Sequence, residues 1–137
     1  MNSGFSIIIG TVKKLDYLSL CLDSLKQNSY FKDHEVIIHF SNFDQECQSF
    51  AEFYGIKKYT SSKGITGICS AINMATELAT KDDICIIDDD MYLLPDWDKE
   101  IVDFKKNHKL SDLDWVCSTM IEPPNYFYGP DPRRFNQ

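Results

Sequence analysis

The sequence predicts an α/β protein with a mostly parallel sheet and helices on both faces, and three observations carry that prediction. Short, nearly unbroken apolar runs of strand length recur along the chain, as expected of strands buried on both sides. Between them lie stretches whose apolar residues fall at i, i+3, i+4 and i+7, the spacing of one helical face. The two patterns alternate, which builds βαβ units whose crossover helices cover the sheet.

Residues 5–10 (FSIIIG) form the first apolar run. Asp16 is placed to cap the helix that follows, in which Leu18, Cys21, Leu22 and Leu25 share a face. Residues 35–40 (EVIIHF) read as a second buried strand. Cys47, Phe50, Ala51 and Tyr54 then repeat the helical spacing, and Gly55 supplies a stop. Residues 56–60 make a weaker strand near an edge. Gly67 opens a third helix with its stripe at Ile68, Ile72, Ala75 and Ala79. Residues 84–87 (ICII) form the next strand, which runs directly into Asp88, Asp89 and Asp90. Pro95 suits the first turn of a further helix with Trp97, Ile101 and Phe104 inward. Residues 115–120 (WVCSTM) read as a last strand. Pro123, Pro124, Gly129, Pro130 and Pro132 make the remainder a loop or tail.

A chain of 137 residues fits a single domain, and 43% hydrophobic residues with 26% charged ones suit a soluble core-forming protein. The net charge of -7 argues against nucleic acid as a partner, because phosphate backbones demand clustered Lys and Arg. The one basic run, Lys105-Lys106-Asn107-His108-Lys109, reads as a solvated helix end. No apolar stretch approaches the roughly 20 residues of a membrane span, and no secretory signal precedes residues 5–9. Cys21, Cys47, Cys69, Cys85 and Cys117 are scattered with no C-x-x-C pair, as in mostly core, reduced thiols of a cytoplasmic protein.

Three adjacent aspartates at the end of an apolar strand are the strongest chemical signal. Their mutual repulsion is offset most readily by a cation. Along an extended segment Asp88 and Asp90 point one way and Asp89 the other, so the first and third can share a Mg²⁺ or Mn²⁺ that keeps positions free for phosphate oxygens. The competing reading is a solvated acidic turn that caps the next helix. In parallel sheets ligands bind beyond the carboxyl ends of the strands, which singles out residues 10–12, 40–42 and 88–90.

The stretch ICIIDDDMYLLPDWD resembles the D-x-D segment of family-2 glycosyltransferases of the GT-A fold, a Rossmann-like sandwich. The segment GITGICSAIN, residues 64–73, resembles that family's glycine-led helix ending in Ala-Arg-Asn, FSIIIGT its first strand and HEVIIHFSN its second. The resemblance covers residues 5–101 in the family's order. It implies transfer of a sugar from a UDP- or GDP-linked donor, usually with inversion, assisted by Mn²⁺ or Mg²⁺. Asp88 and Asp90 are then the metal residues, with Asp88 also near the ribose and Asp89 beside the donor. Thr11 and Val12 border the base, Ser41 and Asn42 lie by the base or ribose, and Gly64 and Gly67 let the backbone approach the nucleotide. Asn73, on a helix facing the sheet, has either a donor contact or a bond to a loop carbonyl.

The chain departs from the family at four places. Gly10-Thr11-Val12-Lys13 stands where a Pro-x-Tyr/Arg-Asn-like segment is usual, Phe40 or Ser41 where an Asp reads the base, and Ile72 where an Arg precedes the helix asparagine. The sequence also ends at residue 137, before the region in which relatives place the acceptor site and catalytic base. An inverting transfer needs a carboxylate to take the acceptor's proton, and Glu122 and Asp131 are the late acidic candidates. The expectation is therefore one nucleotide-sugar-binding domain over residues 1–137 without its acceptor part, its acceptor a saccharide, lipid or protein. An apolar face bared by the missing part would favour homo-oligomers, and attachment to the inner face of a membrane is compatible with this reading. Tyr126, Phe127, Tyr128 and Phe135, with Arg133 and Arg134, read as the entry to that missing part. The rival of another class is a module that binds nucleotide-sugar or metal without turnover. A receiver domain fits poorly, since Gly10-Thr11 replaces the acidic residues it needs after its first strand, and a nucleotidyltransferase lacks its Gly-rich phosphate loop.

Overall fold

A computed structural model describes residues 4–111 and 114–116. Four parallel strands, β1 (Ser6–Thr11), β2 (Glu35–Phe40), β3 (Lys58–Ser61) and β4 (Ile84–Asp88), make a sheet ordered β3-β2-β1-β4. Four helices connect or follow them: α1 (Leu15–Asn28), α2 (Gln45–Phe53), α3 (Ile68–Thr76) and α4 (Trp97–His108). The strand order reverses between β1 and β4, because the chain goes outward from β1 on one side and returns to its other side. That is the topological switch point at which α/β sheets open a crevice.

The alternating side chains of each strand separate two cores. Ile7 and Ile9 of β1, Ile38 and Phe40 of β2 and Ile87 of β4 meet Leu18, Cys21, Leu22 and Leu25 of α1 and Cys47 and Ala51 of α2, all buried. Trp97, Ile101 and Val102 of α4 pack against the same cluster. On the opposite face Ile8 and Ile37 are covered by Ala75 and Ile72 of α3. Helices thus lie on both faces, as the alternating pattern predicts.

Several local expectations are corrected. Asp16 lies inside the first turn of α1, which begins after Lys14 without a side-chain cap. It is α2 that is capped by a carboxylate, with Asp44 accepting from the backbone N–H of Cys47. Pro95 precedes the α4 cap residue, Asp96, rather than occupying the first turn. Phe104 is exposed and stacks on His108, one turn away, while Val102 packs inward in its place. Burial of β4 on both faces also fails: Ile84 and Ile86 are 47% and 48% exposed. Among the described residues β4 is an edge of the sheet and the short α3 lies over β1, β2 and β3, so none of them covers one face of β4. Trp115 and Val116 are not in a strand, and the rest of that expected strand lies outside the described residues. Cys69 is exposed, unlike the buried Cys21 and Cys47, and Cys117 is outside the described residues.

Candidate active site

An open cleft of about 280 Å³ lies at the carboxyl ends of β1, β2 and β4. Gly10, Thr11 and Val12 form its floor, Ser41, Thr66, Ile68 and Ala71 one side, and Asp88, Asp89 and Asp90 the other. Thr11, Val12, Ser41, Asp88, Asp89 and Asp90, all singled out in the sequence, are brought together here. Thr66, Ile68 and Ala71 were missed, because the β3–α3 connection folds back over the end of β2 through long-range contacts.

The aspartates do not alternate as an extended strand would make them. β4 ends at Asp88, and Asp89 and Asp90 form a turn closed by the Met91 N–H on the Asp88 carbonyl. Asp89 swings back to accept a hydrogen bond of 2.7 Å from the Thr11 hydroxyl, tying the end of β4 to the end of β1. Burial pushes the Asp89 carboxyl above the ordinary carboxylate range, and the charges of Asp90 and Asp88 add to this, against the Thr11 hydroxyl and Lys14. Asp88 and Asp90 are exposed at the cleft wall, with carboxylates open to an incoming cation. Among the described residues no group of three metal-binding side chains converges. Two carboxylates that leave positions for water and phosphate are nonetheless the donor set Mg²⁺ or Mn²⁺ takes at a phosphorylated substrate.

Strained backbone borders the cleft. Lys13 and Asn42, just beyond β1 and β2, have φ of 64° and 53°, a region L residues seldom adopt. Lys13 is held by Asp44 and Glu46, and together these residues shape the turn out of β1. Asn42 does not line the cleft, and neither do Gly64 and Gly67. A Cβ at either glycine would meet nothing within 4 Å, so the chain's own packing does not require them. Gly10 differs: a Cβ there would lie 3.3 Å from Ile68 Cδ1 and 3.6 Å from Ala71 Cβ, so its absence lets α3 sit close above the cleft floor. Asn73 is exposed and does not face the sheet. Glu122 and Asp131 lie outside the described residues.

A parallel sheet with a switch-point cleft and a carboxylate cluster at its rim is the ligand-binding arrangement of open α/β domains. Residues 6–130 match the family described as Glycosyl transferase family 2, and the chain belongs to that family. Its fold is that of GT-A glycosyltransferases. It superimposes on the crystal structure of Staphylococcus aureus TarS 1-349 with a TM-score of 0.67 and 22% identity, covering 77% of this chain and 33% of that one. The same values hold for the complex of that protein with UDP. The mannosyltransferase PcManGT from Pyrobaculum calidifontis, in complex with GDP-Man and Mn²⁺, matches with a TM-score of 0.56 and 20% identity over 63% of this chain and 27% of that one. This chain therefore spans about a third of the TarS 1-349 chain. A comparison with curated protein sequences gives no match.

Proposed function

We propose that this chain forms the donor site of a metal-dependent glycosyltransferase that moves a sugar from a UDP- or GDP-linked donor to an acceptor hydroxyl, with inversion. The observation that carries the reading is the division of labour in the acidic cluster. Thr11 takes up Asp89, while Asp88 and Asp90 stand free at the wall of a switch-point cleft. Asp88 and Asp90 would hold the cation, Mn²⁺ or Mg²⁺. A cation bound there would supply Lewis-acid stabilisation of the charge on the departing nucleoside diphosphate. The chain's own residues bind and orient: Thr11, Val12 and Ser41 border the nucleoside, and Asp89 keeps the two strand ends together beneath it.

The complexes of two fold relatives, one with UDP and one with GDP-Man and Mn²⁺, support the choice of ligand. The acceptor class is a saccharide, lipid or protein, and Glu122 and Asp131, outside the described residues, are the candidates for the general base. We propose the cytoplasm as its compartment, on its scattered cysteines, of which Cys21, Cys47, Cys69 and Cys85 are free among the described residues. No helix among the described residues is long and apolar enough to cross a membrane. Self-association is part of the same proposal, with Ile84 and Ile86 as the exposed apolar surface. A binding module without turnover is the second reading, favoured by one observation: among the described residues the cleft holds no carboxylate besides Asp88, Asp89 and Asp90.

Calorimetric titration with UDP, GDP and their sugar conjugates, with and without Mn²⁺, tests the proposal. We expect binding that needs the metal and disappears in an Asp88→Ala/Asp90→Ala variant. A folded native chain that binds none of these nucleotides would sink the donor-site reading. Metal-dependent binding without hydrolysis or transfer of the sugar would select the binding module.

A further inference from the structure

His39 is fully buried in the middle of the sheet, in register with Gly10 on β1 and Thr60 on β3. An imidazole in a strand of isoleucines costs stability unless both ring nitrogens find partners. Here both do. Nδ1 lies 2.8 Å from the Thr60 hydroxyl, and Nε2 lies 3.3 Å from the hydroxyls of both Ser62 and Thr66. Ser62 in turn donates to the Gly64 carbonyl at 2.6 Å, and its N–H bonds the Phe40 carbonyl at 3.1 Å. Thr66 Oγ1 stands 3.5 Å from Ser41 Oγ, and both residues line the cleft. One buried ring therefore reaches β3 at Thr60 and the β3–α3 connection near its start at Ser62 and near its end at Thr66, with Gly64 tied in through Ser62. Burial lowers the pKa of the ring from its ordinary value, which favours the neutral form that donates from one nitrogen and accepts at the other.

We infer that His39 is a positioning residue for the nucleotide end of the cleft. It holds the 62–66 loop so that the Thr66 and Ser41 hydroxyls form the cleft wall on the β2 side, across β1 from Asp88. The inference rests on the donor-site reading and deepens it, since it names what builds the wall where a base-reading carboxylate would otherwise stand. A hydroxyl both donates and accepts, so this wall meets a base edge of either polarity.

Three variants test it. His39→Leu keeps bulk and removes both ring bonds, His39→Gln restores a polar side chain toward the loop, and Thr66→Val removes one hydroxyl at nearly constant volume. Two quantities are read: hydrogen exchange of the 61–67 segment without ligand, and calorimetric affinity for UDP and GDP with Mn²⁺. Expected for His39→Leu is faster exchange confined to 61–67 and about tenfold weaker nucleotide binding, the scale of one lost hydrogen bond. His39→Gln should recover part of both, which a purely structural role in the core would not give. Thr66→Val should weaken nucleotide binding with an unchanged melting temperature, and it carries the test if His39→Leu does not fold. Unchanged exchange in His39→Leu, or unchanged affinity in every folded variant, overturns the inference. A native chain that binds neither nucleotide overturns the donor-site reading instead, and the exchange data still decide whether His39 holds the loop.

Discussion

Asp98 has no exposed surface, and both of its carboxylate oxygens accept hydrogen bonds. Oδ1 takes the Tyr30 N–H at 2.9 Å, and Oδ2 takes the Phe31 N–H at 2.9 Å and His34 Nε2 at 2.7 Å. The His34 ring stacks on both Phe5 and Trp97, which also touch each other, and its Nδ1 accepts from the Phe5 N–H, leaving Nε2 as the nitrogen that donates to Asp98. One side chain of α4 thereby pins the loop between α1 and β2. An Asp98→Asn variant turns an NH₂ group toward backbone donors, and we expect it to cost about 3 kcal/mol of stability by chemical denaturation. An unchanged denaturation midpoint would show that the loop does not depend on this clamp. Burial raises the Asp98 pKa, but the Tyr30 N–H, His34 and the Phe31 N–H outweigh it and hold the carboxyl below its ordinary range. The clamp is thus at full strength above the ordinary carboxylate pKa and weakens as acid protonates it.

Among the elements, β4 shows how a strand's neighbours decide what its sequence means. Ile87 is buried beneath α1, whereas Ile86, the residue before it, is half exposed on the face α3 does not reach. Residues of one type in one strand should therefore respond differently. We expect Ile87→Ala to cost about 2–4 kcal/mol, and Ile86→Thr to stay within about 0.5 kcal/mol of the native chain. Urea denaturation of the two variants measures this directly. Equal losses would mean that the outer face of β4 is covered in solution. The helices follow the same rule. α1 and α2 bury the apolar stripes their spacing marks, because both pack into the larger core against β1, β2 and β4. α3 buries only Ala71 and Ala75 and leaves Ile68 exposed above the cleft.

In the whole molecule the two ends of the sheet do different work. The carboxyl end holds the cleft. At the other end Glu35 accepts from Ser6 on β1, from Lys58 on β3, and from the N–H and hydroxyl of Thr80 in the α3–β4 connection. Burial pushes this carboxyl up, but Lys58, Ser6 and Thr80 prevail and bring it from 4.5 down to about 2. A carboxyl whose folded pKa is depressed binds its proton more weakly than the unfolded chain does. Its stabilisation is complete above 4.5 and is lost as pH falls toward about 2. We expect Glu35→Gln to flatten the acid limb of a plot of melting temperature against pH while leaving nucleotide affinity unchanged. An acid limb identical to the native one would remove Glu35 as its source.

By itself the sequence determined the α/β class, the buried faces of α1 and α2 and the placing of three aspartates at a strand end. All of these follow from local periodicity and neighbouring residues. The Asp44 cap was not singled out, although an Asp immediately before a helical run is the local signal for one. The family, too, was legible, because its segments occur in order along the chain. Tertiary structure alone decided the rest. Among the described residues strand order put β4 at an edge and bared Ile84 and Ile86. The turn at Asp89 and Asp90 replaced the expected alternation, because Thr11, far away in sequence, captured Asp89. His39 met Thr66 and Asp98 met Tyr30 across wide stretches of chain. A residue's period reports which way it faces, but only the packed fold determines what stands there to meet it.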